Sequence, residues 1–228
     1  MASRLRLLDG FALEHAVKQV ELPPGMQRLL ALLALHGPAH RCLVAGTLWP
    51  EVPESQALAS LRTGVWRLNR MIPGLLLTDG SALSMSTATS VDSRDQEAFA
   101  TSVMTGRQDD LDWDESGLHT LWPGVLLPGW YDDWVVFERE RLSMLRLHAL
   151  EHAATVLTRR GALRTALRLA LEAVRTEPLR ETATAVLMDV YLAEGNVSDA
   201  IRQYDMYRDL LGRELGVAPS RRLASLLP

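Results

Sequence analysis

The sequence predicts a mainly α fold with a small β component. Three observations carry this: short alternating stretches ahead of three helical segments, a hairpin signal directly after the third helix, and helix upon helix from residue 130 onward. Residues 5–13 and 17–22 read as two short strands around a turn, since Val17, Lys18, Gln19, Val20, Glu21 and Leu22 alternate with period two. Pro23-Pro24-Gly25 breaks the strand and can open a helix. Residues 26–36 are rich in Leu and Ala and stop at Gly37-Pro38; residues 41–48 form a second short helix that stops at Trp49-Pro50. A longer helix follows over residues 55–72 and ends at Pro73-Gly74. Residues 75–78 and 82–85 then flank Asp79-Gly80, a hairpin turn signal. Three helices followed by a hairpin is the layout of a winged helix-turn-helix, whose third helix enters the major groove.

Residues 86–118 are polar, with one helix expected near 92–104 and an acidic loop after it. The helical remainder contains a repeat. Gly161 and Gly195 stand 34 residues apart, and so do Ala166 and Ala200, Arg168 and Arg202, Leu157 and Tyr191, and Ala153 and Leu187. Ala170 and Ala173 map onto Tyr204 and Tyr207, and Pro178 onto Gly212. This period fits tetratricopeptide-like units, pairs of antiparallel helices that stack. The bland alternative is an irregular bundle. The expected domains are a winged helix-turn-helix over 1–91 and an all-α helical repeat domain over 92–228.

Composition narrows the function classes. The 228 residues hold 47% hydrophobic and 23% charged side chains, ordinary for a globular chain. Apolar runs such as residues 29–35 are far shorter than the roughly 20 residues that span a bilayer, and residues 1–10 lack the apolar stretch of a signal peptide. A cytoplasmic protein without membrane partners is expected. One cysteine, Cys42, excludes an internal disulfide and a cysteine zinc cage. The net charge of −4 is unevenly spread: residues 1–91 carry 8 basic and 6 acidic side chains, and residues 92–228 carry 16 and 22. The N-terminal part can therefore face phosphate while the acidic part faces elsewhere.

The third helix has two faces when projected at 100° per residue. Leu58, Leu61, Val65, Leu68 and Ile72 form the stripe expected in the core. Gln56, Ser60, Thr63, Arg67 and Arg70 lie opposite. Arginine can bond guanine twice, glutamine can do the same to adenine, and Ala59 or Thr63 suits a thymine methyl. No acidic residue occurs from Ser55 to Ile72, so nothing on this face repels phosphate. Arg62 and Asn69 sit on the flank as candidates for backbone phosphate or for packing. Trp66 lies at the edge, where an aromatic side chain is expected to anchor the core. A solvated amphipathic helix is the competing reading.

Several segments resemble one family. Residues 59–68, Ala-Ser-Leu-Arg-Thr-Gly-Val-Trp-Arg-Leu, look like the recognition helix of OmpR-type winged-helix regulators, in particular the Streptomyces antibiotic regulatory proteins. Leu48-Trp49-Pro50 resembles the motif ahead of that helix. Residues 127–134, Leu-Pro-Gly-Trp-Tyr-Asp-Asp-Trp, and 138–142, Glu-Arg-Glu-Arg-Leu, resemble the start of the family's bacterial transcriptional activation domain. Residues 177–181, 191–196 and 214–220 continue the match. The resemblance implies an activator of specialised-metabolite gene clusters, antibiotics among them. It would bind direct repeats near the −35 element of promoter DNA, self-associate on tandem sites and help hold RNA polymerase holoenzyme. By motif position Arg67 matches the principal base-contacting arginine. The chain departs at Asn69, where the family usually carries arginine. No nucleotide-binding domain follows the repeats, so no cofactor, no ATP chemistry and no enzymatic activity are expected.

Two other motifs are weaker. His148-Ala149-Leu150-Glu151-His152 spells a zinc-protease pattern, but catalysis needs a third ligand and an open cleft. Asp110, Asp112 and Asp114 begin like a calcium loop, yet Glu115 replaces the required glycine and Leu121 the closing glutamate. A protein-interaction module in which the repeats dominate, without specific DNA binding, is the main rival reading.

Overall fold

The computed structural model describes residues 3–106, 118 and 124–227. The acidic stretch with the calcium-like pattern lies outside them. The chain divides into two compact units, Met1–Gln96 with Pro123–Leu142, and Glu97–Trp122 with Ser143–Pro228.

In the first unit, β1 (Ser3–Arg6), β2 (Ala12–His15), β3 (Lys18–Gln19) and β7 (Thr89–Val91) form a sheet of order β3-β2-β1-β7. Leu5 pairs with Leu13 antiparallel on one side and with Val91 parallel on the other. The expected single strand over 5–13 is in fact two strands, because Asp9 and Gly10 take positive φ values of 60° and 131° and turn the chain. That left-handed geometry suits an Asp-Gly pair. Ser3 and Leu5 face inward while Arg4 and Arg6 face solvent. Asp92 then closes this sheet's end: its carboxylate accepts the Leu7 and Leu8 N–H groups at 2.8 and 3.1 Å.

Helices α1 (Pro24–His36), α2 (Arg41–Leu48) and α3 (Glu54–Met71) follow at nearly the predicted bounds. Six consecutive residues of α1, Leu29 to Ala34, are buried, so α1 is the central helix rather than an amphipathic surface one. Gly37, with φ 75°, ends it, and its N–H bonds the Leu33 carbonyl at 3.1 Å. The hairpin of β5 (Leu76–Asp79) and β6 (Ala82–Met85) turns through Gly80-Ser81, one residue later than the Asp79-Gly80 signal, since Asp79 pairs with Ala82. It gains a third strand, β4 (Ala39–His40), antiparallel to β6.

Residues 124–142 complete this unit. Leu127 N–H bonds the Leu7 carbonyl at 2.8 Å, and Asp9 N–H bonds the Val125 carbonyl at 2.9 Å. A Cβ on Gly124 would stand 2.8 Å from Leu8 Cβ, so only glycine permits this approach. Trp130 stacks on Phe11 at 6.3 Å, Trp134 meets His36 edge-on at 6.1 Å, and Asp132 pairs with Arg28. Arg139 donates to the carbonyls of Leu126, Leu127 and Trp130 at 2.7, 2.7 and 2.9 Å, which fixes the loop.

The second unit is helical. α4 (Asp92–Thr105) and α5 (Asp133–Arg159) enter it from residues 97 and 143, and α6 (Leu163–Thr176), α7 (Glu181–Ala193), α8 (Val197–Leu215) and α9 (Arg221–Ala224) follow. α5 begins three residues after Trp130, where the helical reading placed its start. Gly161 and Gly195, with φ 76° and 80°, make the turns after α5 and α7. Ala153, Leu187, Ala166 and Ala200 are all fully buried. Arg146 of α5 pairs with Glu172 of α6, both under 10% exposed, and Glu172 also accepts from Arg175 at 2.7 and 2.8 Å. Glu151 of α5 holds Arg180 at 2.7 and 3.1 Å, and Tyr207 of α8 donates to the Leu179 carbonyl at 3.1 Å. Among the described residues, no helix is long and apolar enough to cross a membrane.

Candidate nucleic-acid interface

The core side of α3 is Ala57, Leu61, Val65 and Leu68, all buried, with Ile72 just beyond it. Leu58, placed in that stripe from the sequence, is only partly buried, and Ala57 takes the inner position. On the other side Gln56, Arg62, Thr63, Arg67 and Arg70 are exposed, and Ser60 is half-buried. Glu54 is the sole acidic residue of α3 and sits in its first turn, where it complements the helix dipole.

The exposed face has two columns. Gln56, Ser60, Thr63 and Arg67 line an open groove of about 420 Å³, opposite Pro23, Met26 and Trp49. Among the described residues, Arg67 is its only charged lining residue. Thr63 is exposed, and its Oγ donates to the Ala59 carbonyl at 3.0 Å. Four and eight residues along from Arg62 come Trp66 and Arg70, which form the second column. Trp66, expected as a core anchor, is 58% exposed. Its position on the projection lies well round from Leu61 and Leu68, and angular placement overrides the bulk of the side chain.

Asn69, one of the flank candidates, has its amide engaged within the protein. Its Nδ2 donates to the Leu76 carbonyl at 2.9 Å and its Oδ1 accepts the Leu76 N–H at 3.0 Å. This pair of bonds pins β5 to α3 and so orients the hairpin. Sequence reasoning had no local signal for it, because an amide facing a strand end looks like any flank residue. Asn69→Ala is expected to lower stability by about 1–2 kcal/mol, since a buried backbone donor and acceptor lose their partners. Hydrogen exchange at the Leu76 amide should accelerate with it. Wild-type protection at Leu76 in the variant would refute the assignment. On the hairpin side, Arg41 Nη2 donates to Thr78 Oγ at 3.1 Å, and His40 Nδ1 lies 2.9 Å from Ser81 Oγ.

The zinc-like pattern has a different environment. His148 and His152 line an open hollow on α5, but the Glu151 carboxylate between them is taken by Arg180 and by Thr182 Oγ at 2.7 Å. Among the described residues, no group of three or more His, Cys, Asp or Glu side chains is placed to hold a metal.

Residues 95–227 match the family described as the bacterial transcriptional activator domain. The chain belongs to that family. It is 30% identical over 218 residues to the regulatory protein AfsR of Streptomyces coelicolor, covering 89% of this chain and 21% of that protein. AfsR of Streptomyces griseus is likewise 30% identical over 215 residues, covering 87% of this chain and 21% of the relative. The chain thus spans about a fifth of the length of these curated relatives. A solved structure of Mycobacterium tuberculosis EmbR, in complex with a low-affinity phosphopeptide, superposes with a TM-score of 0.75 at 20% identity. That match covers 98% of this chain and 63% of EmbR, and it shows a shared fold. Together these matches bear out the resemblance to the Streptomyces antibiotic regulatory proteins, a transcriptional regulator family.

Proposed function

We propose that this chain is a sequence-specific DNA-binding transcriptional activator, acting on a specialised-metabolite gene cluster. Residues 1–91 would bind promoter DNA as a winged helix-turn-helix, and residues 92–228, with their tetratricopeptide-like helix pairs, would engage RNA polymerase. The observation that carries the reading is the exposed face of α3. It presents Gln56, Thr63, Arg67 and Arg70 to solvent with no carboxylate beyond the first turn. A major groove of duplex DNA admits one helix, and its base edges match arginine, glutamine and threonine. Phosphate attracts Arg62, Arg67 and Arg70 and meets no like charge on the helix beyond Glu54 in its first turn.

Binding to direct repeats near a −35 element, self-association on tandem sites and a cytoplasmic location belong to the same proposal, with the family resemblance as their support. The test is selection of duplexes from a random pool by the full chain, followed by gel-shift competition at fixed salt. The expected result is a recovered motif whose half-sites recur about one helical turn, roughly 10–10.5 base pairs, apart. A pool that never enriches, with only weak salt-sensitive binding, would refute the reading and favour a protein-interaction module.

A further inference from the structure

Arg62, Trp66 and Arg70 succeed one another at four-residue spacing on the exposed face of α3. Beside them Asn69 grips Leu76, so this column runs on the hairpin side of the helix. Gly64 faces Leu29 of α1, so the column of Arg67 runs on the α1 side. Within the hairpin-side column, the Arg70 guanidinium carbon stands 5.2 Å from the centre of the Trp66 ring. That is a cation–π arrangement.

An indole 58% exposed on a helix contributes little to the core. It does restrict Arg70, whose long side chain otherwise loses rotamer freedom on meeting a ligand. A guanidinium stacked on a ring still presents its N–H donors at the edge, which suits a phosphate oxygen. We propose that Trp66 is a positioning residue for DNA binding, holding Arg70 ready for a backbone phosphate on the hairpin side of the recognition helix. This rests on the DNA-binding reading above. It divides the exposed face into a base-reading column led by Arg67 and a phosphate column led by Arg70.

The test uses the full chain and fluorescence anisotropy of two labelled duplexes, one recovered by selection and one of random sequence, across a salt series. Arg70→Ala should lower the slope of log affinity against log salt by about 1, equally on both duplexes. Trp66→Ala should weaken both by about two- to fivefold. The double variant should be no weaker than Arg70→Ala alone, because the ring acts through the arginine. Trp66→Phe, with a weaker ring face, should fall between, and it carries the test should Trp66→Ala melt early. Wild-type affinity in the Trp66 variants overturns the proposal, and so do single losses that multiply in the double variant. A wild-type chain without affinity for either duplex overturns the DNA-binding reading itself.

Discussion

Arg67→Ala is expected to weaken binding to the selected duplex by about 5- to 150-fold, the equivalent of one bidentate base contact at 1–3 kcal/mol. Binding to random duplex should fall far less, because phosphate attraction does not depend on sequence. The structure supplies two reasons to expect a large effect. Arg67 is exposed and stands at the groove on the α1 side of α3. Among the described residues no carboxylate lines its groove, so the groove itself offers no competing charge to a base edge. Arg67→Lys should recover part of the phosphate attraction but little of the discrimination, since a lysine lacks the planar fork. Gel shifts at fixed salt on both duplexes decide the matter. Equal losses on the two would remove Arg67 from the base-reading role and leave it a phosphate contact.

Glu172→Ala should cost up to about 3–5 kcal/mol, because it takes the carboxylate partner away from the buried Arg146 guanidinium. At 2–4 °C per kcal/mol for a chain of this size, the melting temperature should drop by up to about 6–20 °C. Arg146 also donates to Thr176 Oγ at 3.2 Å, and this bond does not depend on the carboxylate. The same pair gives stability a pH dependence. Burial pushes the Glu172 carboxyl up, but hydrogen bonds from Arg175 and Arg146, with their charges, outweigh it and hold the group below the usual carboxylate value of 4.5. A depressed folded-state value means that the stabilisation is complete above the unfolded value and is lost as pH falls through the folded one. Melting temperature should therefore decline below about pH 4.5 more steeply in the wild type than in Glu172→Gln. Parallel curves for the two proteins would show that the pair does not govern acid stability.

Helices α1, α2 and α3 were legible because each carries its own punctuation: Pro23-Pro24 and Gly37, then Trp49-Pro50, then Pro73-Gly74. The hairpin was legible for the same reason, although its turn shifted by one residue. What sequence reading missed depends on partners far along the chain. β7 has three residues and pairs with β1 across more than eighty positions, and β4 has two. Such short strands contain no measurable alternation, so only the pairing defines them. Within the candidate site, Arg67, Thr63 and Gln56 could be placed from helical projection alone. Asn69 could not, because its use is set by where Leu76 arrives. An aromatic side chain at the edge of a helix suggests a core anchor, but the turn of the helix on which Trp66 stands decides its exposure.

The return of residues 124–142 onto the first unit makes that unit discontinuous along the chain. A ribosome releasing the polypeptide from its N-terminus delivers the sheet and three helices well before Trp130, Trp134 and Arg139 emerge. Until then Phe11, His36 and Arg28 lack their companions. A recombinant fragment cut before residue 124 would stay permanently at this stage. For the same reason, exchanging the first unit between two relatives requires three crossovers rather than one, so that the closing segment travels with the helices it was shaped to cover.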